Sequence, residues 1–280
     1  MGQISTSDWP VGFGEEMAGS KPETLADYKT WLQKMYNVES TSLNRTYYES
    51  VSNKILIEFM KSDFWQAVPA ELERLDQKYF ITEEYHLFTA NFRPDMKLKP
   101  FSSFLEKTFR KNIVENENWP NEPKGGWILP ESWYSEIGDI VRTMFVVKYL
   151  DGVSFFVANF SDLLSKHDMP VTVDYEAREE GYYAAHLSTE YECEIPKESW
   201  DTKRVRVKIE MQVTTQLQEV IKNLLHKYYE GRRLTTKASE VKWQWDYRSE
   251  EFATNYLGHI LHYVEGMIMD IRQKQRGAKQ

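Results

Sequence analysis

Positions 204–213 read RVRVKIEMQV, and the fold class turns on how this stretch is read. Val205, Val207, Ile209, Met211 and Val213 alternate with Arg204, Arg206, Lys208, Glu210 and Gln212, so successive side chains fall on opposite faces of an extended chain. One face is apolar and packs; the other is wholly polar. On its own this is a strand with one wet side. Working outward, Tyr183 to Cys193 and Val171 to Tyr175 read as two further strands joined by the acidic turn EAREEG, and Ile140 to Tyr149, rich in Val, Phe and Thr, as a buried one. Gln216 to Tyr229 follows as an amphipathic helix, and Asp151-Gly152 is expected to turn the chain ahead of a helix over Val153 to Leu164. Strands mixed with helices predict an α/β (α+β) fold, a mixed β-sheet flanked by helices.

The flanks are helical. From Thr24 to Ala90 apolar residues such as Ile55, Phe59, Phe64, Leu72, Leu75 and Tyr79 recur at helical spacing, which predicts three helices. Ser103-Phe104-Leu105-Glu106 has capping-box form, so a helix is expected to start near Ser103 with Lys107 and Lys111 on one face. The segment WPNEPKGGWILP at 119–130 is a loop by its prolines and glycines, and a last long helix is expected from Glu250 to about Gln273. The expected organisation is a helical N-terminal region over 1–90, a core over 91–230 and a C-terminal helical extension over 231–280 packed on that core.

Composition narrows the function classes. Cys193 is the only cysteine, which rules out an intramolecular disulfide and a metal site built of several thiolates, and a reducing cytoplasm is the expected compartment. No basic start leads into an apolar run and no eighteen-residue apolar stretch occurs, so neither a standard secretion signal nor a membrane span is expected. A net charge of −8 argues against a general nucleic-acid coat, whose binding rests on many phosphate contacts. The 14% aromatic content exceeds what a core needs, and part of it is expected to serve a nucleotide or a partner surface. Trp243, Trp245 and Tyr247 are expected to pin the last helix to the core.

Several groups carry chemistry. Glu210 and Gln212 point the same way from the alternating strand. Asp139, after Gly138 at the mouth of another strand, could join Glu210 in holding one magnesium ion through oxygen ligands. Read alone, Asp139 is equally a turn acid and Glu210 a solvated one. Lys97, Lys99, Lys107, Arg110 and Lys111 supply cationic donors near a helix N-terminus, as a polyphosphate requires; singly, each is a solvated lysine or arginine. In EEGYYAAH (179–186) a tyrosine held by a turn glycine can lay its ring on a nucleobase while the alanines leave room. The competing reading is a tyrosine-rich strand edge with His186 as scaffold. His86, His167, His259 and His262 read as structural.

In this order the pieces resemble the synthetase domain of the RelA/SpoT family, enzymes that move pyrophosphate from ATP to the 3′-hydroxyl of a guanine nucleotide. The resemblance runs from Lys97 to Tyr229. Its residues are Lys97, Lys99, Ser103 and Lys107; Asp139 in GDIVRTMFVV; Asp174-Tyr175, Arg178 and GYYAAH; Glu210-Met211-Gln212; and His226-Lys227-Tyr228-Tyr229. The resemblance implies the nucleotidyltransferase-like mixed sheet of that family. It implies that Asp139 and Glu210 bind Mg2+, with Glu210 also receiving the acceptor's 3′-hydroxyl proton. Lys97, Lys99, Ser103, Lys107 and Arg142 would hold ATP, the pyrophosphate donor. Tyr182 would stack on the acceptor base, with Arg178, His186 and Gln212 on the acceptor side and His226 in support. Such transfer needs positioning and charge neutralisation and no covalent nucleophile.

The departures fall mostly on the acceptor side. Met144 stands where the family has an arginine that packs on adenine, with Arg142 two residues earlier on the same face. Tyr183 and Ala184 replace the usual arginine and serine, Gln212-Val213-Thr214-Thr215 the usual Gln-Ile-Arg-Thr, and Ala177-Arg178 the usual Pro-Lys. These changes resemble the toxic small alarmone synthetases. They imply transfer to the tRNA 3′ CCA end, a block of translation, and control by an antitoxin or immunity protein. Lys222, Lys227, Arg232 and Arg233 would extend the basic patch for an RNA stem. The alternatives are a (p)ppGpp or (p)ppApp synthetase acting on free GDP, GTP or adenine nucleotides, and a non-catalytic interaction module.

Overall fold

The structure, a computed structural model, describes residues 20–36, 45–90, 92–196, 201–232 and 242–277, and the side chains of 225–232 lie outside that description. Among the described residues the N-terminal part holds three helices, as the periodicity predicts: α1 (Leu25–Tyr36), α2 (Arg45–Met60) and α3 (Asp63–Glu83). The start of α3 is set by Ser62, whose side chain accepts from the Trp65 amide, and its end by Glu84 in the left-handed region at φ 61°.

Two short elements lead into the sheet. Strand β1 (Lys97–Leu98) is followed by helix α4 (Phe101–Phe109), which widens into a π-helical turn over Arg110–Val114. The capping box expected at Ser103 does not form. The helix starts earlier, with extended Pro100 at its N-cap and the Pro100 carbonyl accepting from the Phe104 amide at 2.9 Å, so Ser103 is already helical. Burial of Phe104 and Leu105 fixes that register. A single-turn helix, α5 (Trp133–Glu136), precedes β2 (Val141–Val147). The expected turn at Asp151-Gly152 is likewise corrected: both residues lie in the first turn of α6 (Leu150–Lys166), after extended Tyr149. An aspartate suits a helix N-terminus, and a Cβ on Gly152 would come within 2.9 Å of the Leu87 side chain.

Then come β3 (Val171–Ala177), β4 (Tyr183–Pro196), β5 (Thr202–Thr215), α7 (Gln216–Arg232) and α8 (Glu250–Gly277). The five strands form one sheet in the order β1-β2-β5-β4-β3. β5 runs parallel to β2, and the other neighbouring pairs are antiparallel. The mixed α+β sheet expected from the sequence is therefore present.

Register assigns the faces. Ile209, Met211 and Val213 of β5 are fully buried and lie beside Val141, Thr143 and Phe145 of β2 and Thr189, Leu187 and Ala185 of β4. Helices α6 and α2 cover this face, with Phe156 and Phe160 packed at a tilt against Phe145 and Phe59 edge-on to Tyr191. The opposite face carries Arg142, Glu210, Gln212, His186, Ser188 and Asp174, each beside another across the strands. Among the described residues no helix is long and apolar enough to cross a membrane.

The C-terminal helix is keyed to the core at both ends. Near its far end the Arg272 guanidinium, 6% exposed, lies 4.2 Å from the ring centres of both Tyr85 and Tyr149 and 3.0 Å from Asp151 Oδ1. The expectation that three rings pin it to the core is corrected: Trp243 packs edge-on to Tyr256 of the helix itself, and Trp245 and Tyr247 are 80% and 68% exposed.

Candidate active site

The polar sheet face floors a cleft of about 2110 Å³, closed on one side by β1 and α4 and on the other by the β3–β4 hairpin and α7. Strand alternation builds this floor. Arg142 and Glu210 are register partners, as are Met144 and Gln212, His186 and Gln212, and Asp174 and His186. Residues far apart in the chain thus share one surface because their strands are neighbours and their parity matches.

The donor-side residues expected from the sequence converge. Lys97, Lys99, Ser103, Lys107, Arg110, Asp139 and Arg142 all line the cleft, whereas Lys111 does not. Asp139, two residues ahead of β2, is 11% exposed and bound by two ammonium groups, Lys99 Nζ at 2.8 Å and Lys107 Nζ at 2.9 Å. Lys99 is fixed in turn: its amide donates to Ile140 O at 2.8 Å and its carbonyl accepts from the Tyr48 hydroxyl at 2.8 Å. Burial works to raise the Asp139 carboxyl, but the two lysines outweigh it and hold it below its ordinary value. Burial also lowers Lys99, offset only in part by Asp139, so the pair exists because each charge compensates the desolvation of the other.

The acceptor-side residues Arg178, Tyr182, His186, Glu210 and Gln212 line the same cleft. Glu210 Oε1 is 3.0 Å from His186 Nδ1 and accepts from Gln212 Nε2 at 2.6 Å. Burial pushes the Glu210 carboxyl up, and these two partners outweigh it, leaving it below its ordinary value. Tyr182 reaches toward His186, its hydroxyl 3.5 Å from Nε2, with the Arg178 and Lys222 cations 5.6 and 5.8 Å from its ring centre. Burial raises the Tyr182 phenol, reinforced by Glu176 and Glu210, so it stays protonated. His226 lies on α7, where its side chain falls outside the described residues, as do those of Lys227, Arg232 and Arg233.

Two members of the site escaped the sequence reading. Glu176 accepts from Arg178 Nε at 2.6 Å and stands 3.0 Å from His186 Nε2, so His186 has a carboxylate at each ring nitrogen. Its signal was parity with Asp174 on β3, hidden because the strand runs two residues further than expected. Lys222, expected only on an RNA-facing patch, donates to Gln212 Oε1 at 2.5 Å and lies 3.6 Å from Met144 Sδ. Burial lowers this lysine, with the Arg142 charge acting in the same direction.

Asp139 and Glu210 are hard oxygen donors beside cationic groups, a donor set that suits a magnesium ion shared with phosphates. Among the described residues no group of three or more His, Cys, Asp or Glu side chains could hold a metal ion by itself. The remaining ligands would come from phosphate and water.

No protein-family model and no curated protein matches this sequence. Solved structures do resemble it. Small alarmone synthetase 1 from Bacillus subtilis is 16% identical and matches over 79% of this chain and 98% of that one, with a TM-score of 0.50. The same synthetase bound to its product pppGpp gives 17% identity, 80% and 99% coverage and a TM-score of 0.50. This likeness shows the fold, which is that of the RelA/SpoT-type small alarmone synthetases.

Proposed function

We propose that the protein is an ATP-dependent pyrophosphokinase that transfers the β,γ-pyrophosphoryl group of ATP to the 3′-hydroxyl of a free purine nucleotide. The single observation that carries the reading is the cleft. Arg142, a cation suited to a triphosphate, and Glu210, a hydrogen-bonded carboxylate suited to a hydroxyl, are register partners on one continuous sheet face, one strand spacing of roughly 4.8 Å apart, with Lys97 one strand further out and Lys99 and Lys107 lining the same cleft.

In this reading the acceptor's O3′ attacks the β-phosphorus, the bond to the oxygen bridging the α- and β-phosphorus atoms breaks, and AMP leaves. Glu210, ionised because its partners hold its pKa low, takes the hydroxyl proton. Lys97, Lys99, Lys107 and Arg142 bind and orient the triphosphate, with Ser103 beside them, and their charge opposes the negative charge that builds in the transition state. Asp139 and Glu210 would hold a Mg2+ ion, which when bound supplies further charge neutralisation. Tyr182, Arg178, His186 and Gln212 orient the acceptor, and Gln212 and His186 keep the Glu210 carboxylate aimed.

The altered acceptor residues motivated a tRNA acceptor. The contacts of Tyr183 weaken that motive. Its hydroxyl is 2.9 Å from His259 Nδ1 and its ring stacks on His262 at 3.7 Å, so the change from the family's arginine serves packing against α8. A nucleotide acceptor also matches the neighbouring synthetase whose product is pppGpp. We therefore assign GDP or GTP as acceptor, ahead of adenine nucleotides and tRNA. Incubation with γ-labelled ATP and each of GDP, GTP, ADP and deacylated tRNA is the test. Labelled guanine nucleotide with stoichiometric AMP is expected. Label on tRNA alone would overturn the acceptor, and absence of AMP and of any labelled product would overturn the activity.

A further inference from the structure

The turn that presents Tyr182 is built against the C-terminal helix. Gly181, at φ 78°, has no room for a side chain: a Cβ would stand 2.6 Å from the Asn255 carbonyl oxygen and 2.8 Å from the His259 amide nitrogen. Its counterpart on α8 is Gly258, where a Cβ would run into the Gly181 carbonyl. Two backbones therefore meet with nothing between them, and a glycine is needed on both sides.

The flanking residues continue the contact. His259 Nε2 lies 2.8 Å from the Glu179 carbonyl oxygen, which only accepts, so the ring carries its proton there and Nδ1 accepts from the Tyr183 hydroxyl. The His262 ring lies flat on Tyr183, 7° from parallel. The Tyr183 carbonyl accepts from Thr214 of β5 at 3.2 Å. Tyr182 thus sits between two residues that are each held by α8, while its own ring turns to the cleft. The helix is indexed against the core elsewhere as well. Buried Glu265 accepts from Thr215 and from Gln218 Nε2, and Arg272 locks the far end.

We propose that α8 is a buttress behind the turn that carries Tyr182 into the acceptor half of the cleft, and that Gly258, His259 and His262 are positioning residues that set where Tyr182 receives its nucleotide. This rests on the pyrophosphokinase reading for what is bound, and its test separates the two. GDP and a non-hydrolysable ATP analogue are titrated calorimetrically into the native full-length chain and into Gly258→Ala, His262→Ala and His262→Phe, with transfer from labelled ATP and thermal melting followed in parallel. A displacement of about 1 Å costs up to about a hundredfold where geometry matters, so GDP affinity and acceptor KM are expected to worsen at least about tenfold in Gly258→Ala and His262→Ala. ATP-analogue affinity should stay within about twofold, and His262→Phe, which keeps the stacked ring, should recover most of the loss.

Equal weakening of both ligands, a lower melting temperature with unchanged GDP affinity, or no GDP binding by the native chain would each overturn the inference. Where Gly258→Ala does not fold, the two His262 variants decide. GDP binding that depends on α8 without any transfer by the native chain would support the inference and refute the activity alone.

Discussion

Asp139→Asn is the most informative single change. The carboxylate is almost enclosed and neutralises two ammonium groups at 2.8 and 2.9 Å, one of them, Lys99, only 10% exposed. Asparagine keeps the shape, removes the charge, and leaves two like charges facing each other across an amide. Removing one partner of a buried pair costs about 3–5 kcal/mol. Lys107 is 23% exposed and can relax into the cleft, which argues for the lower end, about 3 kcal/mol. At about 2–4 °C per kcal/mol for a chain of this size, the melting temperature should fall by about 6–12 °C. Circular dichroism melts in metal-free buffer at neutral pH measure it, and transfer from labelled ATP measures the second consequence, a loss of at least about a hundredfold. A Lys107→Met change in the Asp139→Asn background should return part of the stability without returning activity, because it removes one stranded charge. An unchanged melting temperature would refute the electrostatic account of the pair, and transfer within about tenfold of the native rate would refute the role of Asp139 at the phosphates.

The remaining expectations use other parts of the molecule. Glu210→Gln retains hydrogen bonding but cannot take a proton, so single-turnover transfer should drop by about 10²–10⁴ while GDP affinity changes little; an unchanged rate would remove Glu210 from the chemistry. Both carboxyls are held below their ordinary values of 3.8 and 4.5, so their contribution to stability is complete above about pH 4.5 and is lost as pH falls through their depressed values. The stability gap between native protein and Asp139→Asn, followed by denaturant titration from neutral to acid pH, should narrow as pH falls below the ordinary carboxyl value of 3.8 and through the depressed one, and a gap that widens with acid would contradict the sign. Arg272→Met should cost about 2–3 kcal/mol through loss of a desolvated guanidinium between two rings, and Arg272→Lys should recover less than half, as urea unfolding would report; a full recovery by lysine would mean the planar group is not what holds the helix.

The sheet and most of its polar floor were legible in the sequence because a period of two is local: RVRVKIEMQV alone places Glu210 and Gln212 opposite the core. What was not legible depended on space. Ser103 has the residues of a capping box, but buried Phe104 and Leu105 and the fixed φ of Pro100 started the helix earlier. Asp151-Gly152 has turn composition, yet the close approach of Leu87 made the glycine a packing residue inside a helix. Glu176 shares the parity of Asp174 but lies beyond the strand end that the sequence suggests, and Lys222 joins the site from helix α7 through Gln212 on β5, a contact that no sequence spacing announces. Trp245 and Tyr247 have the composition of packing residues and are left in solvent.

The seam between β2 and β5 has a mechanical consequence. Seven parallel register pairs, from Val141 with Ile209 to Val147 with Thr215, bind the two halves of the cleft into a single rigid plate. In the proposed transfer, donor and acceptor would therefore not be brought together by two lobes swinging shut. The gap that a migrating pyrophosphoryl group would cross is set at folding by the interstrand ruler, and loading the cleft would fall to the side chains above that floor.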